Sequence, residues 1–351
     1  MKNKEFLEKL ISTPSPSGME SKIQQLIWEE VKDIADELSI DSHGNLIATM
    51  NPGIRTPMDL SNTKIMLAAH CDQIGMIVTF IDAQGYIYFE SVGGWDPQQL
   101  VGQAVEVFGK KGMVDGVIGK KPIHLMDTAE RGKASKITNL WIDIGANNKK
   151  EASKKVKIGD YITIERAFNN LLNDKFIGAA LDDKAGIWAI VEAFKRIDKT
   201  KLKNTIYMVS TVQEEVGTRG AITATYGIEP DIGIAVDVTF ATDCPSHNPK
   251  EQGDVKLGKG PVIQVGPNIT PFVGKKLIKT AKKNKIPHQI TASGRMTGTD
   301  ARSIQISKSG VATGLISIPN RYMHSPVEMI SLKDIDGIAE ILSNFCMKTF
   351  K

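Results

Sequence analysis

The chain has 351 residues, of which 41% are hydrophobic and 24% charged, with a formal net charge of +4; that is enough for a sizeable core and two domains, and the mild charge, with no basic patch interleaved with aromatics, argues against nucleic acid as a partner. Three cysteines without a CxxC pair, Cys71, Cys244 and Cys346, argue against a disulfide framework and fit a reducing cytoplasm. The charged opening MKNKEFLEKL lacks a signal-peptide core, and no apolar run reaches membrane length.

In chain order, Pro14, Pro16 and Gly18 punctuate a loop before a helix predicted over 20–36, with Ile23, Leu26, Ile27, Val31 and Ile34 on one face. Short apolar runs at 45–50 and 64–69 predict strands. Residues 75–165 differ: MIVTFI, YIYFESV, AVEVFG, GVIG, NLWIDIG and DYITIE are β-like runs separated by turn signals, with at most a helix near 149–155. This predicts a small all-β domain over 74–165, inserted into a discontinuous α/β domain of 1–73 plus 166–351. Helices follow at 186–196 and 271–284, and strands at 205–212, 233–237 and 311–318. A closing helix at 332–349 opens Ser331-Leu-Lys-Asp, a capping-box-like start.

Candidate chemistry gathers at the ends of the apolar runs, where α/β sheets build their sites. His70 and Asp72 lie two apart at a strand end, so Asp72 can hold the imidazole while its other nitrogen meets a metal; a merely satisfied histidine is the bland alternative. Asp182 and Asp183 begin a helix, where they could complement its dipole, a strong reading for Asp183, whereas Asp182 could bridge two metals. Glu214 and Glu215 end a very apolar strand, and like charges this close raise one pKa. For both to reach one site the backbone must curl. Asp237 ends a core strand and His324 sits in a loop before Pro326. Two divalent ions would be neutralised by Asp182, Glu215, Asp237 and one hydroxide. Mixed N/O ligation suits Zn, Co or Mn, and ions roughly 3.5–4 Å apart can generate hydroxide and polarise a carbonyl. Glu214 is then the carboxylate left to move the proton. HExxH, GxSxG, Walker A and a usable GxGxxG are absent. His43, His124, His247 and His288 have no comparable setting. His124 falls in the insert, either as a structural or surface histidine or as one that reaches the site.

These residues, with their surroundings, resemble the M42 family of metallo-aminopeptidases, related to the TET, glutamyl and deblocking aminopeptidases. The resemblance runs nearly end to end through Ala69-His-Cys-Asp-Gln-Ile-Gly75, Gly93-Gly-Trp-Asp-Pro97, Ala180-Leu-Asp-Asp183, Gln213-Glu-Glu-Val-Gly217, Val236-Asp-Val238, Gly298-Thr-Asp-Ala301 and Arg321-Tyr-Met-His-Ser-Pro326. It implies that His70 and Asp237 ligate one metal, Glu215 and His324 the other, with Asp182 as the bridge. It implies Glu214 as general base and acid, and Asp72 as the residue that orients His70. It also implies a phosphorylase/hydrolase-like mixed-sheet α/β catalytic domain, a PDZ-like insert used in dimerisation, and dimers assembling into a tetrahedral dodecamer. Two departures stand out. Gln73 replaces the family's usual Glu, which should alter tuning and not the reaction. Gly298–Arg302 lacks the doubled Gly before it and the Gly after it that many members carry, which bears on specificity.

The reading is a cytoplasmic aminopeptidase that uses two divalent ions to remove N-terminal residues from peptides. One rival is a metal-independent endoglucanase, which needs two carboxyl groups across a sugar, roughly 5–9.5 Å apart; Glu214 and Glu215 are adjacent, and aromatic content is only 6%. The other is a non-catalytic assembly protein whose insert binds peptide ends by strand addition. Residues that select the substrate are not legible.

Overall fold

The computed structural model describes residues 3–52, 63–165 and 168–350. Among these, eight strands form one mixed sheet in the spatial order Glu37–Ile40, Leu46–Met50, Thr205–Thr211, Lys64–His70, Ile232–Phe240, Ala312–Asn320, Val262–Val265 and Gln289–Ala292. The four central strands, Thr205–Thr211 to Ala312–Asn320, run parallel, and antiparallel pairs flank them. The central strands read as nearly continuous apolar runs because helices cover both their faces. Alternation along Lys64–His70 shows the two layers. Ile65, Leu67 and Ala69 join a large core with helices Lys4–Ser12, Ser21–Val31, Leu181–Lys195, Pro271–Lys283 and Leu332–Cys346. Met66 and Ala68 join a smaller core with Arg219–Ile228 and Ala301–Gln305.

Leu181–Lys195 is buried at every position from Leu181 to Phe194. A helix buried on all sides must meet several elements at once, and it packs against the sheet, Lys4–Ser12 and Leu332–Cys346. Pro271 opens its helix with φ already set, and Lys282 and Lys283 close it where the dipole favours cations. The expected capping box at Ser331 does not form. Asp334 turns away and accepts instead from the N–H groups of Gly258 and Gly260, at 2.7 and 2.8 Å.

Two of the longer helices were not foreseen. Lys4–Ser12 looks charged throughout, yet Phe6, Leu7, Leu10 and Ile11 form a buried stripe. Arg219–Ile228 is rich in Gly and β-branched residues, poor helix formers, and is held by the Ala221, Ala224 and Ile228 face packed on the sheet.

Strands Gly75–Ile81, Ile87–Val92, Trp141–Asp143, Gly112–Gly119, Ala104–Gly109 and Tyr161–Ile164 close into an antiparallel barrel with its own core, including Met76, Val78, Ile87, Val107 and Ile142. The molecule is thus a mixed α/β unit with a small inserted β-barrel. The helix expected near 149–155 is one turn, Lys149–Ala152, capped by Asn148. The expected junction at 165/166 abuts residues 166 and 167, outside the described residues, as are the first two residues expected in the α/β unit. No helix among the described residues is long and apolar enough to cross a membrane.

Candidate metal centre

Four central-sheet segments deliver acids and histidines to one cleft of about 330 Å³, whose walls include His70, Asp182, Glu214, Glu215, Asp237 and His324. His70 is the last residue of its strand, and Asp237 lies two strand positions beyond the neighbouring strand's pairing with Ala68. Glu214 and Glu215 follow the strand that ends at Thr211. There the backbone does curl: Gln213 takes φ 56°, and the Glu214 carbonyl accepts from the N–H groups of Gly217 and Thr218, both at 2.8 Å.

The ligand atoms fall into two groups, His70–Asp182–Asp237 and Asp182–Glu215–His324. Asp182 belongs to both. Its Oδ1 lies 3.1 Å from His70 Nε2 and its Oδ2 lies 3.4 Å from His324 Nε2. Glu215 Oε2 is also 3.4 Å from His324 Nε2, and Asp237 Oδ1 is 4.0 Å from His70 Nε2. Asp182 and Asp183 depart from helical geometry and are joined by a cis peptide bond. Asp183 behaves as a cap, its Oδ1 accepting from Gly186 N–H at 3.1 Å.

Burial and mutual repulsion raise most of the cluster's acids. Burial raises Asp237 well above the usual carboxyl range. Burial, with Asp237, Asp300 and Glu215 nearby, pushes Glu214 up to about 10 despite the opposing pull of His70. Glu215 is also raised by burial. Burial pushes Asp182 up too, but hydrogen bonds from His324 and His70 outweigh it and hold this carboxyl below its ordinary value. Those same bonds, from Asp182 and Glu215, lift His324 to about 11. Oε1 of Glu214 and of Glu215 are buried without a hydrogen-bond partner among the described residues. Two imidazoles and three carboxylates, one shared, suit two cations of the Zn, Co or Mn kind; the orphaned oxygens and raised carboxyls fit them.

Support comes from behind. The Asp72 carboxylate is fully buried and accepts from Ser17 O–H at 2.6 Å, Glu214 N–H at 3.0 Å and Glu215 N–H at 3.2 Å. It reaches His70 Nδ1 only at 3.5 Å, whereas its backbone carbonyl lies 3.1 Å away. His324 Nδ1 lies 2.9 Å from the carbonyl oxygen of Gly94, in the barrel. The loop bearing His324 is further pinned by a two-pronged ion pair of Arg321 with Asp243, at 3.0 and 2.8 Å. Gln73 accepts from buried Lys184 Nζ at 2.6 Å, and Lys184 also donates to Thr13 O at 2.7 Å. Gln73 therefore ties the N-terminal segment beneath the site.

Sequence reasoning missed Glu328. Its Oε2 accepts the Asp182 N–H and its Oε1 the His324 N–H, both at 2.9 Å. Burial and Asp182 push it well above the ordinary range while these two amides pull it back. The available signal was an acid four residues after His324 at the start of an apolar strand. Asp300 was quoted only within a motif; it is buried, accepts from Thr211 O–H at 2.6 Å and is pushed up to about 6 by burial. His124 is exposed in a short turn of the insert and is not among the cleft's lining residues.

The family model described as M42 glutamyl aminopeptidase matches residues 44–341. The lysyl aminopeptidase of Pyrococcus furiosus is 39% identical over 342 residues, covering 96% of this chain and 94% of the relative. Aminopeptidase APDkam598 from the archaeon Desulfurococcus kamchatkensis superposes with a TM-score of 0.90 at 36% identity, covering 98% of this chain and 94% of that one. The dodecameric PhTET1-12s structure gives 0.85 at 34% identity and covers 98% of each chain. The matched stretch holds every acid and histidine of the cleft, and the chain belongs to the M42 family of aminopeptidases, peptidases of the hydrolase class.

Proposed function

We propose that this chain is a two-metal aminopeptidase that removes N-terminal residues from peptides. The observation that carries it is Asp182, whose two oxygens face two separate ligand groups. In this reading His70 and Asp237 would hold one ion and Glu215 and His324 the other, with Asp182 as the ligand common to both groups; Zn, Co or Mn would serve. When bound, such a pair supplies an acidified water and a polarised carbonyl. Glu214 accepts the water proton and passes it to the leaving amine. Its Oε1, buried without a hydrogen-bond partner among the described residues, is the atom available for that exchange. Asp72 fixes the Glu214–Glu215 backbone and, through its carbonyl, the His70 ring. Both adjacent glutamates are then engaged at one metal centre, which leaves the endoglucanase reading no carboxyl pair across a sugar.

The architecture is read as a phosphorylase/hydrolase-like unit, residues 1–73 plus 166–351, with a PDZ-like unit at 74–165. The barrel is assigned to dimerisation and the dimers to a tetrahedral dodecamer, supported by the likeness to the dodecameric PhTET1-12s; native mass spectrometry tests it. A cytoplasmic setting is supported by three free cysteines. The lysyl preference in the Pyrococcus furiosus relative's name belongs to that protein.

The deciding experiment is mass spectrometry of peptides, free and N-acetylated, incubated with chelator-stripped enzyme and with enzyme reloaded with Zn, Co or Mn. Stepwise N-terminal shortening only after reloading is expected. No cleavage with any metal would refute the reading.

A further inference from the structure

The residues lining the cleft fall into two chemical sets. One is the acid and histidine cluster. The other is built around Phe240, Gln264, Thr297, Thr299, Ser317 and Met323. Among the described residues this second set holds no lysine, arginine, aspartate or glutamate, and every charged lining residue belongs to the cluster. Its floor is closed, since Ser317 is 2% and Thr297 8% exposed, whereas Phe240 at the mouth is 59% exposed.

An aminopeptidase has one residue on the amine side of the scissile bond. With the scissile carbonyl at the cluster, that residue's side chain is the part of the substrate that faces the second set. There it meets hydroxyls, an amide, a thioether and a ring. A buried ammonium or carboxylate without a counter-charge is far more costly than an apolar group or a neutral polar group that finds a hydrogen bond, and the hydroxyls and amide here offer such bonds. The proposal rests on the aminopeptidase reading and deepens it: we infer that the residue removed is uncharged, of the methionine, leucine or glutamine kind, and that lysine, arginine, glutamate and aspartate are disfavoured.

The test is kcat/KM of the metal-loaded enzyme on aminoacyl p-nitroanilides of Met, Leu, Gln, Lys, Arg, Glu and Asp. It is paired with calorimetric binding of the free products leucine, lysine and glutamate. The best neutral residue should exceed every charged one by about tenfold or more, with product affinities in the same order. Gln264→Glu should raise the Lys-to-Leu ratio about tenfold, and Gln264→Lys the Glu-to-Leu ratio. Thr299→Glu offers a second position should the first pair fold poorly. A wild-type preference for a charged residue would overturn the inference and leave the peptidase reading standing. So would charge changes at both positions that leave the ratios unmoved. Hydrolysis of no substrate would overturn the peptidase reading, and this inference with it.

Discussion

Replacing Glu328 with alanine would remove the one carboxylate that holds the backbones of Asp182 and His324 together, each N–H at 2.9 Å. A hydrogen bond to a charged group contributes about 1.5–3 kcal/mol, and a buried donor left alone forfeits it in full. The bond from the Asp182 amide is buried, whereas that from the His324 amide is only part-buried and regains part of the loss from solvent. The expected cost is about 3 kcal/mol, a fall in melting temperature of roughly 5 °C. Residues that orient metal ligands typically change metal affinity about 10–100-fold, and both backbones bear proposed ligands. Glu328→Gln keeps one acceptor oxygen and turns an NH2 toward the other amide, so it should fall between wild type and alanine. Scanning fluorimetry reads the stability and equilibrium dialysis the metal affinity. Wild-type melting temperature and metal affinity in the alanine variant would refute the reasoning.

Glu214→Gln should keep metal content near normal while turnover drops roughly 10²–10⁴-fold, checked by elemental analysis beside steady-state kinetics; undiminished turnover would remove Glu214 from the proton transfer. Asp182→Asn weakens both ligand groups at once and should lose metal as well as activity, and full metal occupancy by elemental analysis would contradict the bridge. Hydrogen bonds to Asp182 and Glu215 lift His324 to about 11, and burial raises Asp237, so in the metal-free protein both hold protons more tightly than usual. Cations must displace these protons, so metal affinity should rise with pH; calorimetry in buffers of different ionisation heat should detect proton release, and its absence would count against the ligand assignment.

The α/β unit was legible where periodicity was strong. The runs at 64–69 and 205–212 and the helices near 186–196 and 271–284 all form, because burial on both sides or on one stripe writes itself into composition. The barrel was legible for the opposite reason, through short runs broken by turns. Lys4–Ser12 was hidden because its four apolar residues are masked by surrounding charge, and Arg219–Ile228 because tertiary packing overrides poor propensity. At the cleft, side chains that end strands were visible as acids and histidines after apolar stretches. Contacts that depend on the path of a loop were not: a sequence shows that Glu328 follows His324 by four, but not that the chain turns so its carboxylate meets two backbone amides. Nor could it show that Asp72 reaches His70 more closely through its carbonyl than through its carboxylate.

The contact between His324 Nδ1 and the Gly94 carbonyl has a consequence for how freely parts of this molecule could be exchanged. A Cβ on residue 94 would lie only 3.2 Å from that nitrogen, so the loop comes in with almost no clearance. With Nδ1–H donated to the Gly94 carbonyl, the ring is oriented with Nε2 toward Asp182 and Glu215, and once the Nε2 proton is given up the tautomer left is the one whose Nε2 lone pair faces those carboxylates. The barrel is therefore not a detachable module. A chimera carrying a foreign barrel would need to bring its own acceptor to this spot, and a chain trimmed to the sheet unit would leave the ring's tautomer unassigned.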